Sequence, residues 1–227
     1  MTAAPLRFVF NPQGEELAAA KRCEADVFLE TYGNTPAEFE VEYGPYESAT
    51  GFMTILREDG EAVAAARFIT PGPAGLKTLN DVSREPWQVD GLRSARAAGV
   101  DISRTWDIAT IAVRRGAGRG GLCAAALYHG IVASALANGA EWIVMIMDRH
   151  ARVLLTSLGM QTRGLPGTAA GEYLGSDNST PLWANLHRMF EHQRQESPDA
   201  YRLIFQGIGL DGIALPTDWT FEVPAEH

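Results

Sequence analysis

The strongest constraint on the fold comes from residues 105–148, where a strand, a loop, a helix and a second strand follow one another. Residues 105–113 alternate as a strand does, and residues 114–121 consist of glycine, arginine and one alanine. Residues 122–138 have the composition of a strong helix, which an Asn-Gly pair ends. Residues 141–148 are almost continuously apolar, a pattern typical of a strand at the centre of a sheet. This order indicates an α/β domain, and 227 residues suffice for one of medium size.

Alternation within the first of these strands predicts which side chains share a face. One face would carry Trp106, Ile108, Thr110 and Ala112, and the other Asp107, Ala109, Ile111 and Val113. Asp107 lies early on the strand before the loop, so it could act as a general base, directly or through water. The alternative is that Asp107 is a solvated residue at the start of a strand.

The loop of residues 114–121 has the chemistry of a phosphate-binding site. Backbone amides at the start of a helix are unpaired and point outward, and the helix dipole favours an anion there. Glycines allow a phosphate to approach closely, and arginines add charge and forked donors. The loop therefore predicts a site for a pyrophosphate or a phosphopantetheine group. The alternative is a flexible turn with solvated arginines.

Two familiar phosphate motifs fit this loop poorly. A P-loop needs lysine and then serine or threonine after its last glycine, whereas Leu122 follows Gly121 here. A dinucleotide fingerprint is formally present at Gly116, Gly118 and Gly121. Its acidic partner should lie about 20 residues further on, but the candidate, Asp148, lies 148 − 121 = 27 residues beyond the last glycine.

A third motif fits better. Arg115-x-x-Gly118-x-Gly120 matches the Arg/Gln-x-x-Gly-x-Gly/Ala motif of the Gcn5-related acetyltransferases, which cradles the pyrophosphate of coenzyme A. The order of strand, helix and apolar strand around it also resembles that family. Residues 154–160 are similar to its segment of leucine, tyrosine, x, x, leucine, glycine and phenylalanine, and the resemblance covers roughly residues 62–166.

This resemblance implies an α/β (mixed α+β) fold, with a central mixed sheet flanked by helices. A single domain would span residues 1–227, with a helical or irregular extension from about residue 181. The pantetheine arm would lie in a splay beside the strand at 105–113, whose backbone amides at Ile111, Ala112 and Val113 would serve the carbonyl oxygen. Residues implied to bind the pyrophosphate are Arg114, Arg115, Gly116, Gly118, Arg119, Gly120 and Gly121. The resemblance implies no metal.

Within that superfamily the sequence is most similar to the acyl-homoserine lactone synthases and the long-chain N-acyl amino acid synthases. Residues 65–71 resemble their arginine-bearing strand and include Arg67. Where lactone synthases carry glutamate, leucine, serine and arginine, Asp107 replaces the glutamate and Thr110 the arginine. Glu24 stands where an arginine is usual. These departures argue against S-adenosylmethionine as the acceptor.

Arg67 is a second candidate catalytic residue. It is a charged residue within an apolar strand, where an unpaired charge is costly. We expect it to have a partner, which is either a substrate carboxylate or an internal acid such as Asp107. Leu155 stands where many acetyltransferases carry a tyrosine that protonates the departing thiolate. The thiolate would then leave unassisted, through water, or with the help of His150.

Composition limits the class of protein. The formal net charge of −9 argues against a nucleic-acid partner held by a general basic surface. Two cysteines, Cys23 and Cys123, are too few for a disulfide framework and indicate a reducing compartment. There is no basic and apolar leader, and the longest apolar stretch, residues 122–136, is broken and falls short of a bilayer span. We therefore expect a soluble, cytoplasmic protein without a membrane span, whose oligomeric state is open.

Outside the central stretch, hydrophobic periodicity predicts further elements. Strands are expected at 6–10, 51–57 and 62–70, and helices at 15–32, 149–158 and 181–195, with one short helix in an irregular region at 77–104.

The sequence is compatible with three functions. The leading one is an N-acyltransferase that moves an acyl group from acyl-CoA, or from an acyl carrier protein, to the amine of a small molecule such as an amino acid or a specialised metabolite. The second is a non-catalytic module that senses acyl-CoA, which the missing tyrosine would suit. The third is a dinucleotide-dependent oxidoreductase, which the spacing of the acidic residue disfavours.

Overall fold

The computed structural model, which describes residues 6–116 and 120–221, contains a nine-stranded mixed sheet. Its strands are β1 (Leu6–Phe10), β2 (Thr50–Leu56), β3 (Ala62–Ile69), β4 (Thr105–Val113), β5 (Trp142–Asp148), β6 (Arg163–Gly164), β7 (Gly171–Tyr173), β8 (Ser176–Asn185) and β9 (Ile213–Ala214). The order across the sheet is β6-β8-β5-β4-β3-β2-β1-β9, with β7 paired to β8. The pairs β4–β5 and β1–β9 are parallel, and the other pairs are antiparallel.

Helices cover both faces of the sheet. They are α1 (Gly14–Tyr32), α2 (Pro36–Tyr43), α3 (Lys77–Asp81), α4 (Gly91–Ala97), α5 (Gly120–Ala137), α6 (Arg149–Ser157), α7 (Leu186–Glu196) and α8 (Pro198–Ile204). Short 3₁₀ turns precede β2 at Gly44–Ala49 and β4 at Ile102–Arg104. The main core joins the sheet to α5, α7 and α8, whereas α1 to α4 pack on the opposite face. The predicted fold, a mixed sheet flanked by helices, is confirmed.

The central elements lie close to their predicted bounds. β4 has the predicted limits, and β5 begins one residue later than expected. α1 ends where predicted, because Gly33 has a φ of +79° and its N–H donates to the carbonyl oxygen of Leu29.

The predicted helix at 181–195 is wrong over its first part. Ser176–Asn185 is the strand β8, which pairs with the whole length of β5. Its side chains alternate, with Leu182 in the main core and Trp183 in the core on the other face. Asn185 then ends the strand and caps α7, since its Oδ1 accepts a hydrogen bond of 3.1 Å from the N–H of Arg188.

A bulge at Ala109 corrects the predicted faces of β4. Arg67 of β3 pairs with Thr110 and the next residue, Phe68, pairs with Ile108, so Ala109 is left without a partner on β3. Beyond the bulge the faces exchange. Thr110 therefore points toward α1, whereas Ile111 packs against the main core.

α5 is the one helix in the described residues that is long and apolar enough to cross a bilayer, by length and composition alone (18 residues, mean hydropathy 1.5). Of that stretch, 61% is buried inside the protein. It packs closely on the sheet, since a Cβ atom added at Gly130 would lie 2.3 Å from the ring of Phe8. These contacts are those of a core helix.

Candidate functional site

β4 and β5 separate partway along their length. Their ladder joins only Thr105–Asp107 to Trp142–Val144. Beyond it β4 continues to pair with β3, and β5 with β8, so the two strands diverge. A cavity of about 390 Å³ lies in the fork.

This fork cavity reaches the helical layers on both faces of the sheet. Phe28 and Tyr32 of α1 line it from one face, and Ala124 and Tyr128 of α5 from the other. The lining also includes Ile108, Ala109, Thr110, Ile111, Val113, Ile146, Met147, Asp148, His150, Ala151, Leu154, Tyr173 and Leu174. The fork cavity thus lies between the two helical layers, and its walls are mostly apolar. Of the three β4 residues predicted to serve the carbonyl oxygen, Ile111 and Val113 line it, and Ala112 is buried beside them.

The described parts of the predicted phosphate loop, residues 114–116 and 120–121, follow β4 and begin α5, at the end of β4 that has separated from β5. Gly118 and Arg119 fall outside the described residues. Gly116 has a φ of +74°, and apart from the adjoining chain no atom of the described residues lies within 4 Å of a Cβ added at Gly116 or at Gly121. Among the described residues, a Cβ added at Gly120 would meet Val113, at 3.8 Å. The described glycines therefore leave open space beside the helix start.

The two described arginines of this loop differ in their surroundings. The Nη2 atom of Arg114 lies 2.7 Å from Asp26 Oδ2, and its Nε donates to the carbonyl oxygen of Ala62 at 3.0 Å. Arg115 is exposed and lines a separate cavity of about 270 Å³ beside Glu30. Arg114 thus ties β4 to α1, and its role in binding pyrophosphate stays a prediction.

Arg67 has an internal partner. Its guanidinium donates from Nε to Glu24 Oε1 at 2.9 Å and from Nη2 to Glu24 Oε2 at 2.5 Å. Its guanidinium carbon lies 4.2 Å from the ring centre of Tyr43 and 4.7 Å from that of Phe52. Burial is the largest single effect and lowers the pKa of Arg67, but the charge of Glu24, its hydrogen bonds and smaller electrostatic contributions together outweigh burial and raise the pKa. Of the two predicted kinds of partner, the internal acid is observed, and it is Glu24 rather than Asp107.

Asp107 is fully buried and does not line the fork cavity. Its carboxylate accepts hydrogen bonds from the N–H of Thr78 at 2.5 Å and from the hydroxyl of Thr78 at 2.9 Å. Burial raises the pKa of Asp107 to about 7, against the opposing effect of these two hydrogen bonds. The alternative of a solvated strand residue is therefore wrong. Asp107 holds β4 to α3, and its role as a base stays a prediction.

A buried ionic cluster that the sequence analysis missed lies beside the fork. The ammonium group of Lys77 is 2.5 Å from Asp81, 2.8 Å from Glu42 and 3.0 Å from the hydroxyl of Tyr173. The hydroxyl of Tyr173 donates to Asp81 at 2.5 Å, which fixes β7 against α3. The spacing of Lys77 and Asp81, four residues apart, was the available signal for part of it.

The fork cavity has one carboxylate among its lining residues in the described chain, and it is Asp148. Asp148 Oδ1 accepts from the N–H of Ala151 at 2.8 Å and so caps α6, while the hydroxyl of Tyr32 donates to Oδ2. Burial, followed by this hydrogen bond and the charge of Asp148, raises the pKa of Tyr32. Leu155, at the position of the family's tyrosine, is 3% exposed, whereas exposed His150 lines the cavity.

A second cavity adjoins the first. It has a volume of about 370 Å³ and shares Tyr173 and Leu174 with the fork cavity. Glu85 and Glu172 are among its other lining residues. The two cavities therefore meet at the β7–β8 turn.

Neither a candidate metal cluster nor the sheet of a dinucleotide-binding fold is found in the described residues. Residues 6–116 and 120–221 contain no group of three or more His, Cys, Asp and Glu side chains placed to hold a metal. A dinucleotide-binding fold has a mostly parallel sheet, whereas β4 here lies between an antiparallel neighbour and a parallel one.

The comparisons with known proteins agree in fold. No protein-family model and no curated protein matches the sequence. FeeM, an N-acyl amino acid synthase from uncultured soil microbes, is 14% identical with a TM-score of 0.63, over 85% of this chain and 96% of that one. BjaI, a CoA-dependent acyl-homoserine lactone synthase solved with SAM and isopentyl-CoA, is 14% identical with a TM-score of 0.61, over 94% of each chain. The AHL synthase LasI is 12% identical with a TM-score of 0.57, over 81% of this chain and 91% of that one.

These similarities confirm the predicted resemblance at the level of the fold. The chain has the fold of these N-acyl amino acid and acyl-homoserine lactone synthases.

Proposed function

We propose that this protein is an acyltransferase that moves an acyl group from acyl-CoA, or from an acyl carrier protein, to the amine of a small molecule. The observation that carries the proposal is the fork between β4 and β5, whose apolar cavity lies beside the glycine-rich start of α5. A thioester donor has the matching parts, since it joins a phosphate group to a thin arm and an acyl chain.

The fork suits such an arm. Beyond Asp107 and Val144 the two strands form no ladder with each other. Backbone groups that face the gap need other partners, because unpaired buried amides and carbonyls are costly. The amides of a pantetheine arm supply such partners along the strand edge, and the apolar walls suit its carbon chain. In this proposal Ile111, Ala112 and Val113 flank the arm.

The phosphate end of the donor would lie at the start of α5. Unpaired amides in the first helical turn favour an anion, and the open space beside Gly120 and Gly121 allows it to approach. Exposed Arg115 would add charge, together with Arg119 from the same loop. A pyrophosphate or a phosphopantetheine phosphodiester meets this description, so the proposal includes both kinds of donor.

The acceptor would reach the thioester through the adjoining cavity, which meets the fork at Tyr173 and Leu174. Arg67 of β3 pairs with Thr110 of β4, and Asp107 lies on the same strand as Thr110. In this proposal both residues help to position the acceptor. A cytoplasmic location also belongs to the proposal, because coenzyme A and carrier-protein thioesters are cytosolic donors.

Thermal unfolding with coenzyme A or NAD tests donor binding. A ligand at 100 times its Kd stabilises by about 2.7 kcal/mol, which corresponds to roughly 5–10 °C in a domain of this size. We expect coenzyme A to raise the Tm and NAD to leave it unchanged. Arg115→Ala with Arg119→Ala should remove the shift.

The matched control is Arg188→Ala with Arg194→Ala, two exposed arginines of α7. This variant should keep the shift. Thiol release from a panel of acyl-CoAs and amines then tests turnover. Binding without thiol release for any amine would favour the sensor module, and a shift with NAD alone would refute the proposal.

A further inference from the structure

We propose that Asp148, held by Tyr32, is the general base that takes the proton from the attacking amine. This inference rests on the proposed acyl transfer and assigns the base, which neither the sequence analysis nor the proposed function placed at this residue. It is carried by the position of the Asp148 carboxylate in the fork and by the hydrogen bonds that fix it.

The Asp148 carboxylate lies in the wall of the fork cavity. An amine that attacks a thioester in the fork can reach only groups that line the cavity. Asp148 is the one Asp or Glu among those groups in the described residues, whereas Asp107 is sealed behind Thr78. Asp148 is also partly exposed, so that water can exchange protons with it.

The orientation of the carboxylate is fixed from two directions. Asp148 Oδ1 accepts from the N–H of Ala151, and Oδ2 accepts from the hydroxyl of Tyr32. A carboxylate offers about four lone-pair sites, so these two bonds leave a site free on each oxygen. A carboxylate that is fixed in orientation and still has free lone pairs is suited to accept a proton, because a general base must lie within hydrogen-bond reach of the proton it removes.

Tyr32 is itself held by the backbone around it. It is the last residue of α1, where Gly33 turns the chain with a φ of +79°. Gly175, in the β7–β8 turn, has a φ of +83°, and a Cβ added there would lie 2.4 Å from the carbonyl oxygen of Tyr32. The close approach of this turn fixes the end of α1 over the fork. Tyr32 is therefore a positioning residue.

The step balances without any further reactant. The nitrogen lone pair of the amine forms a bond to the thioester carbonyl carbon, and its N–H proton moves to an oxygen of Asp148. The carbon–sulfur bond then breaks, and its electron pair leaves with the sulfur as a thiolate. Protonated Asp148 returns the proton to that thiolate, which restores the carboxylate and releases the free thiol.

The test measures kcat for thiol release and the Tm shift caused by coenzyme A in the full chain. Asp148→Asn keeps an oxygen to cap α6, since Asn is as good a cap as Asp, but it removes the base. We expect kcat to fall about 100-fold or more, as for loss of a general base, while the coenzyme A shift persists. Tyr32→Phe should lower kcat about tenfold without changing KM for the acyl-CoA. A tenfold change in rate corresponds to the loss of about one hydrogen bond to a charged group.

The control is Asp90→Asn, the same change at the cap of α4, where Asp90 accepts from the N–H of Arg93 at 2.9 Å. It should leave kcat unchanged. Asp148→Asn with kcat within threefold of wild type overturns the inference and leaves the acyl transfer standing. If Asp148→Asn abolishes the Tm shift caused by coenzyme A, the inference is also overturned, because Asp148 would then serve binding of the donor. Wild-type protein that releases no thiol with any amine overturns the proposed function and this inference with it.

Discussion

Replacing Glu24 with glutamine tests whether Arg67 is a buried charge that the protein neutralises internally. Glu24 is 1% exposed and Arg67 5% exposed, and two hydrogen bonds join them. Glutamine has the same shape as glutamate and can still accept one of these bonds. It removes the negative charge, however, and turns an NH₂ group toward the guanidinium.

The cost follows from the burial of the pair. Removing one partner of a buried ion pair costs about 3–5 kcal/mol, because the other charge is left without compensation. The rings of Tyr43 and Phe52 still face the guanidinium after the change, and cation–π contacts of this kind contribute about 0.5–2 kcal/mol. We therefore expect the lower end, about 3 kcal/mol. In a domain of this size that loss lowers the Tm by roughly 6–12 °C.

Urea unfolding, followed by far-ultraviolet circular dichroism, measures this loss at constant m-value. The control is Glu16→Gln, the same substitution in the exposed pair between Arg7 and Glu16, whose side chains are 56% and 37% exposed. An exposed pair contributes no more than about 1 kcal/mol. If Glu24→Gln costs as little as the control, Arg67 is not a buried charge dependent on Glu24, and the reasoning is refuted.

Two further predictions concern Asp107 and the β7–β8 turn. The pKa of Asp107 is raised from 3.8 to about 7 in the folded state. The contribution of Asp107 to stability is therefore present below pH 4 and is lost as pH rises toward 7. The loss is at most about 1.4 kcal/mol per pH unit. Asp107→Asn should flatten urea-unfolding stability between pH 5 and 7, and an unchanged slope would contradict the raised pKa. Gly175→Ala should lower the Tm and kcat together, because the added methyl meets the backbone of Tyr32. Gly60→Ala, which has the same φ of +83° in open space, should lower the Tm less and leave kcat unchanged; equal effects on kcat would mean that the contact with Tyr32 does not matter.

The elements of the central stretch could be predicted because local signals fix them. The alternation within β4 and the Asn-Gly pair after α5 lie within a few residues of the elements they define. α2 was also predictable, but was missed. Thr35 and Glu38 form a capping box around Pro36, with the Thr35 N–H 2.6 Å from Glu38 Oε2.

Other features depend on distant partners and could not be read locally. β8 is a strand because β5 offers it a complete antiparallel ladder, although the spacing of Leu182 and Leu186 also suits a helix. The bulge at Ala109 is visible only in the register with β3. At the site, the phosphate loop is a local motif, whereas Tyr32 and Asp148 meet across 116 residues. Sequence alone gives no means to pair such residues.

The departures from the lactone synthase pattern become a single physical arrangement once the contacts are known. Glu24 and Thr110 each replace an arginine of that pattern, and the hydroxyl of Thr110 donates to Glu24. Glu24, in place of an arginine, supplies the carboxylate that neutralises Arg67. Thr110, in place of the second arginine, removes a cation that Glu24 would otherwise also have to balance. Lys77 is likewise balanced by Asp81 and Glu42. An acceptor that presents a carboxylate to this side of β4 would therefore have to compete with an internal acid for either Arg67 or Lys77, whereas an amine without a neighbouring carboxylate would face no such competition.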